Sequence, residues 1–204
     1  MNISASELKA QITKASRGLG YDWGRANYIG EAVVYSERFQ IPAVETLVAI
    51  ADQLDPRGPS LDRINFFHGS RDPLDCISLG LGLMDHLPLI PSCSLHYRLV
   101  TGVPLLVGLL GYGLRARDRV IRLDVLDCTI SIGAGLIGLN GNVPAVGACH
   151  IFDGPHEQLK YPISRFDIDD SIWLQLEQWS SRIYAPATEA SRLSGAGAGL
   201  NDND

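Results

Sequence analysis

Paired cysteines are missing from this sequence. Cys76, Cys93, Cys128 and Cys149 stand far apart, and no two of them form a Cys-x-x-Cys pair. That spacing suggests neither a zinc site nor a disulfide framework, so the expectation is buried free thiols, no metal and no cofactor. Long apolar runs are missing too. The most apolar stretch, Val100 to Leu114, is broken by Gly102, Pro104, Gly108, Gly111 and Gly113, and it is shorter than the roughly 20 residues a bilayer-spanning helix needs. The start, Met1-Asn2-Ile3-Ser4, has no basic run followed by an apolar one, so no secretory leader is expected. Positive charge is in deficit: 17 Lys and Arg face 23 Asp and Glu, a net charge of −6. Nucleic-acid binders usually carry a basic domain or stripe, so that partner is not expected. These absences point to a cytoplasmic protein with no membrane partner. A Gly-x-Ser-x-Gly elbow is absent, and so is any internal repeat.

What is present suits a packed domain. The chain has 204 residues, of which 46% are hydrophobic and 20% charged, enough to bury a full core within a single domain over 1–204. Residues 1–55 read as a helical subregion. Ser4 and Glu7 have capping-box spacing, and Leu8, Ile12 and Ala15 follow at i, i+4, i+7 until Gly18 and Gly20 stop the helix. Asp22 caps a second helix with Ile29 and Val33 inside. Pro42 starts a third, with Leu47, Ile50, Ala51 and Leu54 as its stripe. Residues 55–75 read as a loop.

From 76 to 152 the pattern reads as a sheet. Cys76–Leu83, His96–Val100, Pro104–Leu110, Arg119–Leu126, Cys128–Ile132 and Ala145–Phe152 are short apolar or alternating runs. Asn140-Gly141 is a hairpin signal. With no helices predicted between the strands, the sheet should be antiparallel. A helix over 170–184 follows, capped by Asp170, with Ile172, Leu176, Trp179 and Ile183 on one face and Pro186 at its end. A glycine-rich tail occupies 195–204. The fold class is therefore α+β: a helical layer, a mainly antiparallel sheet, a C-terminal helix and a tail.

Five groups of residues invite a chemical reading. Gly133-Ala134-Gly135-Leu136-Ile137-Gly138 matches Gly-x-Gly-x-x-Gly, with Asp153 about 20 residues on, but Leu139 to Pro144 is no helix, and the fingerprint needs one to receive a pyrophosphate. The bland reading, a glycine-rich strand end entering a hairpin, is preferred. Asp127-Cys128 and Cys149-His150 are neighbours in sequence, so they point to opposite faces of a strand; only a cross-strand Cys128–His150 pair could act as a nucleophile and base. His150, Asp153, His156 and Glu157 cluster at a turn and could converge on a divalent ion, with no strong metal spacing. Arg115, Arg117, Arg119 and Arg122 fall within eight residues, and on a continued strand the first three share a face. Guanidinium forks bind carboxylate or phosphate, though a solvated hairpin tip is the plainer reading.

The fifth group pairs the elbow Arg17 to Gly24 with the tail. The elbow glycines let a backbone come close, and Arg17 and Trp23 could grip a flat or anionic ligand. The tail alternates glycine and alanine and ends in Leu200, Asn201, Asp202, Asn203 and Asp204, which could dock as a dense negative charge; a flexible end is the plainer reading. Lys14-Ala15-Ser16-Arg17-Gly18-Leu19-Gly20 with Trp23-Gly24, together with Tyr184 to Arg192 and Gly195 to Asp204, resembles an uncharacterised bacterial family. The resemblance implies no activity, but it does imply that elbow and tail belong to a shared design.

The sequence thus nominates Arg17, Trp23, Arg115, Arg117, Arg119, Asp202, Asn203 and Asp204 as ligand-binding residues, with no catalytic residue named. The leading expectation is an enzyme or binding protein acting on a small anionic metabolite. The alternative is an accessory or oligomer-building subunit whose tail docks on a neighbour; a homo-oligomer is expected.

Overall fold

Ser4 and Glu7 set the start of the first helix as their spacing predicts. A computed structural model describes residues 1–54, 56, 74–87, 94–133, 135–155 and 159–184. In it, strand β1 (Asn2–Ser4) runs directly into helix α1 (Ala5–Gly18). The Glu7 backbone N–H donates to Ser4 Oγ at 3.3 Å, and the Ser4 N–H donates to the Glu7 carboxylate at 2.8 Å. Two otherwise unsatisfied amides are thereby closed. Leu8, Ile12 and Ala15 form the buried face.

Helix α2 (Trp23–Arg38) is capped by Asp22, which accepts the Arg25 N–H at 2.9 Å. Helix α3 (Ala43–Ile50) follows Pro42, which offers no side-chain cap. Glu37 does that work from α2: its carboxylate accepts the Ala43 and Val44 N–H groups at 2.8 and 2.9 Å. Of the expected loop over 55–75, residues 55 and 57–73 lie outside the described residues and 74–75 form a strand: next come β2 (Leu74–Asp75), α4 (Cys76–His86), β3 (Leu95–Thr101) and α5 (Val103–Leu114). Strands β4 (Ile121–Val125), β5 (Cys128–Gly133), β6 (Leu136–Asn140), β7 (Val146–Asp153), β8 (Leu159–Lys160) and β9 (Arg165–Asp167) lead to α6 (Asp170–Ser181).

The main sheet has the order β2-β3-β7-β4-β5-β6-β8. The β2–β3 pair is parallel and every other pair in this sheet is antiparallel. The α+β class with a mainly antiparallel sheet is therefore what the chain adopts. A second, two-stranded sheet joins β1 to β9, so the two ends of the described chain meet. Among the described residues no helix is long and apolar enough to cross a membrane.

Two expected strands are helices. Cys76–Leu83 lies in α4 and Pro104–Leu110 in α5. In α4 the half-exposed face carries apolar Leu81 and Met84, which hides its polar period; in α5 the reason is burial on all sides. In α5, Leu105, Leu106, Val107, Leu109, Leu110 and Leu114 are each no more than 1% exposed. A helix with no solvated face has no 3.6-residue polar period, so its sequence reads like a buried strand. Local signals mark both starts: Asp75 accepts the Ile77 and Ser78 N–H groups at 3.1 and 2.8 Å, and Pro104 stands in the first turn of α5. α5 connects β3 to β4, which are parallel to each other with β7 between them.

The hairpin expected at Asn140-Gly141 is not there. β6 and β7 are separated by β5 and β4, so residues 141–145 cross two strands. A two-residue turn is at Leu126-Asp127, between Val125 and Cys128, and β5 and β6 pair from Gly133 and Leu136 onward. Gly135 takes φ +73°, a left-handed value that glycine adopts without strain. One cap also shifts: Asp169, not Asp170, accepts the Ser171 N–H, at 2.8 Å. Asp170 is the first helical residue and pairs with the Met1 amine at 3.1 Å.

Candidate functional site

The outward stripe of α1 is polar. Ser6, Lys9, Ala10, Thr13, Lys14 and Arg17 recur at i, i+3, i+4, i+7, i+8 and i+11, one face of a helix. They form one wall of a groove of about 900 Å³. Trp23 and Asn27 from the first turns of α2 add a second wall, and Arg182, Ile183 and Tyr184 after α6 close the third. Gly18 explains how α6 comes so near. A Cβ there would lie 1.7 Å from the Trp179 carbonyl oxygen, so only glycine permits this helix contact. Gln11 ties the same helices by donating to Ser180 Oγ at 3.1 Å.

Among the described residues, four cations line the groove and no carboxylate does. Lys9 is paired with Glu31 at 2.6 Å. Lys14 and Arg182 have no side-chain hydrogen bond or ion pair among the described residues. Arg17 donates to the Tyr21 carbonyl and lies over the Trp23 ring, 5.0 Å from its centroid. Its Nε is buried without a hydrogen-bond partner among the described residues, and so is Thr13 Oγ1. Both atoms are shut off from solvent, and Thr13 Oγ1 lies against Gly30 of α2, 2.5 Å from where a Cβ there would stand. Trp23 and Tyr184 remain 60% and 63% exposed.

Arg17 and Trp23 are thus brought together as the elbow pattern suggests. Lys9, Thr13, Lys14, Arg182 and Tyr184 are not singled out by sequence. Their helical period is there to be counted, but a polar stripe opposite an apolar one reads as a solvated face. Asp202, Asn203 and Asp204 lie outside the described residues.

The arginine strip is not a strand. Residues 115–118 are turn and bend and 119–120 are irregular, so Arg115, Arg117 and Arg119 do not share a strand face. Arg115 stacks on Tyr112, 3.6 Å from the ring centroid, and donates to its carbonyl at 2.7 Å. Arg119 pairs with Asp153 at 2.8 Å and donates to the Leu87 carbonyl. Arg117 is exposed. Arg122, on β4, contacts Asp124 at 3.2 Å.

The remaining chemistries find no geometry among the described residues. Cys128 and Cys149 both flank Val125 on the buried face of the sheet, whereas His150 pairs with Asp124 and His96 on the other face. A Cys128–His150 dyad is therefore ruled out by strand parity. Burial raises the Cys128 thiol and pushes Cys149 up to about 12, so these sulfurs stay protonated and unreactive. Cys76 is raised further by burial and by Asp75. His150 stacks on His96 at 3.9 Å, and burial followed by that second imidazole lowers its pKa. Asp153 is held by Arg119, and His156 and Glu157 lie outside the described residues. Among the described residues no three His, Cys, Asp or Glu side chains are grouped to hold a metal. Within the glycine-rich run, Gly133 ends β5 and Leu136 to Gly138 lie in β6, and no helix follows among the described residues before Ala145, so it offers no helix N-terminus for a pyrophosphate.

Residues 3–61 match the family described as a protein of unknown function, DUF3726. The match spans β1 and α1 to α3, hence the Arg17 and Trp23 walls of the groove, and supports kinship with an uncharacterised domain family. No curated protein matches the chain. Among solved structures, malate dehydrogenase from Entamoeba histolytica is similar at 12% identity and a TM-score of 0.40, over 78% of this chain and 50% of that one. The chain spans about half the length of that enzyme, and a likeness this slight carries no functional argument.

Proposed function

We propose that the chain binds a small anionic metabolite in the groove between α1, α2 and the end of α6. One observation supports the reading above the rest. Lys9, Lys14, Arg17 and Arg182 converge on a groove with no carboxylate among its described lining, in a chain whose net charge is −6. A local basic pocket on an acidic chain concentrates anions at that place and repels them elsewhere. Its volume is in the range of roughly 300–1,000 Å³ common to small-molecule sites.

Arg182→Ala is the cleanest test, because no described partner is lost with the side chain. Inorganic phosphate should raise the melting temperature of the wild type, since binding to the folded state alone stabilises it. Calorimetric titration should show Arg182→Ala weakening phosphate by about 1–2 kcal/mol, the scale of one charge-assisted hydrogen bond, with little change in stability. Unaltered phosphate affinity in both Arg182→Ala and Arg17→Ala variants would defeat the proposal. Arg115, Arg117 and Arg119 are weaker candidates for the same role, because Arg115 and Arg119 already have partners.

A second reading is an accessory or homo-oligomeric subunit whose acidic run Asp202, Asn203, Asp204 supplies the anion. It is favoured by Tyr184, which lines the groove and stands 18 positions before Asp202 in the sequence. The same titration decides between them: if the acidic run competes for these cations, a chain lacking residues 195–204 binds phosphate more tightly.

A further inference from the structure

The cations account for an anion, but not for the rest of the groove. A bare inorganic ion fills only a small part of about 900 Å³. Two large aromatic side chains from different elements, Trp23 at the start of α2 and Tyr184 beyond α6, line it while remaining more than half exposed. The other two tryptophans, Trp173 and Trp179, are half-buried or buried. Exposed indole and phenol rings in a concave site are surfaces on which a flat ligand can stack. Ala10 and Ile183 add apolar lining. Arg17 joins the two halves: it lines the groove and its guanidinium lies over the Trp23 ring.

We infer that the groove selects an oxyanion carried on a flat aromatic ring, the class of aryl phosphates and aryl carboxylates. This rests on the anion-binding reading and adds the identity of the group attached to the anion. The anion meets Arg17, Lys14 and Arg182 while the ring lies against Trp23 and Tyr184. A ligand without a ring would leave both aromatics in water. The acidic run 201–204 contains no aromatic residue and is for that reason a poor match to this part of the groove.

The test compares phenyl phosphate with methyl phosphate on the full chain, by calorimetry and by quenching of tryptophan fluorescence. Phenyl phosphate should bind about 5- to 10-fold more tightly, the factor that one aromatic contact contributes. Trp23→Ala should weaken phenyl phosphate more than methyl phosphate and so shrink that preference, and Trp23 is exposed enough for the variant to fold. Tyr184→Ala should reduce the preference in part. Equal affinity of the two esters for the wild type, or a preference that survives the Trp23→Ala, Tyr184→Ala double variant, overturns the inference while the anion reading stands. If neither ester binds, or if binding is indifferent to Arg17→Ala and Arg182→Ala, the anion reading falls and takes this inference with it.

Discussion

Glu37 shows opposing influences on one proton. Two amide hydrogen bonds from Ala43 and Val44 favour its charged form, but burial outweighs them, and Glu45 nearby adds to the upward push, to a pKa of about 7. The ordinary value is 4.5. The folded chain therefore holds this proton more tightly than the unfolded one. Its contribution to stability is complete below about pH 4.5 and is lost as pH rises to about 7. The change is on the order of 3 kcal/mol, since each tenfold gain in proton affinity is worth about 1.4 kcal/mol. Glu37→Gln keeps an acceptor for the α3 amides and removes the titration. Denaturant melts from pH 4.5 to 7 should thus show a flatter stability profile for Glu37→Gln than for the wild type. Parallel profiles would mean that Glu37 does not titrate there. At this scale the sequence is partly legible. Arg17 and Trp23 stand out because an arginine and a tryptophan flank closely spaced glycines. Lys14 and Arg182 do not, because their groove exists only once α6 has packed on α1. Nothing in the sequence near Glu37 shows that it caps a helix six residues on.

At the scale of elements, helix ends are the legible part. The Ser4–Glu7 box, the Asp22 cap and the Asp169 cap beside the predicted Asp170 all follow from local hydrogen bonding, which sequence spacing records. Helix α5 is not legible, because burial on every side erases the polar period that separates helix from strand, and in α4 the half-exposed face carries apolar Leu81 and Met84, which blurs that period. The crossing from β6 to β7 is hidden for a related reason: Asn140-Gly141 is a local turn signal, but strand order is decided by long-range packing. The α1–α6 contact carries the site and can be tested directly. Gly18→Ala places a Cβ against the Trp179 carbonyl, which the backbone can relieve only by moving α6. Overpacking of this kind costs about 1–3 kcal/mol. Arg182 and Tyr184 move with α6, so phosphate binding should weaken beyond what the stability loss explains. Thermal melts and titrations of the Gly18→Ala variant measure both effects; full affinity in a destabilised variant would show that the α6 wall does not take part.

At the scale of the whole molecule, the distribution of charge matters more than its sum. A net charge of −6 argues against polyanionic partners, yet it coexists with a groove lined by four cations. Composition could not reveal this, because the cations come from α1 and from the segment after α6, more than 160 residues apart in the chain. The densest basic run in the sequence, the arginine strip, is dispersed around a turn. Anion binding at the groove should weaken with ionic strength, since exposed charges are screened over about 10 Å at 0.1 M salt. Backbone amide NMR shifts during titration with inorganic phosphate test the central claim, anion binding at this groove, most directly. Saturable shifts confined to Lys9 through Arg17, Trp23, Asn27 and Arg182 to Tyr184 are expected. Shifts centred instead on Arg115 to Arg119, or none that saturate, would contradict it.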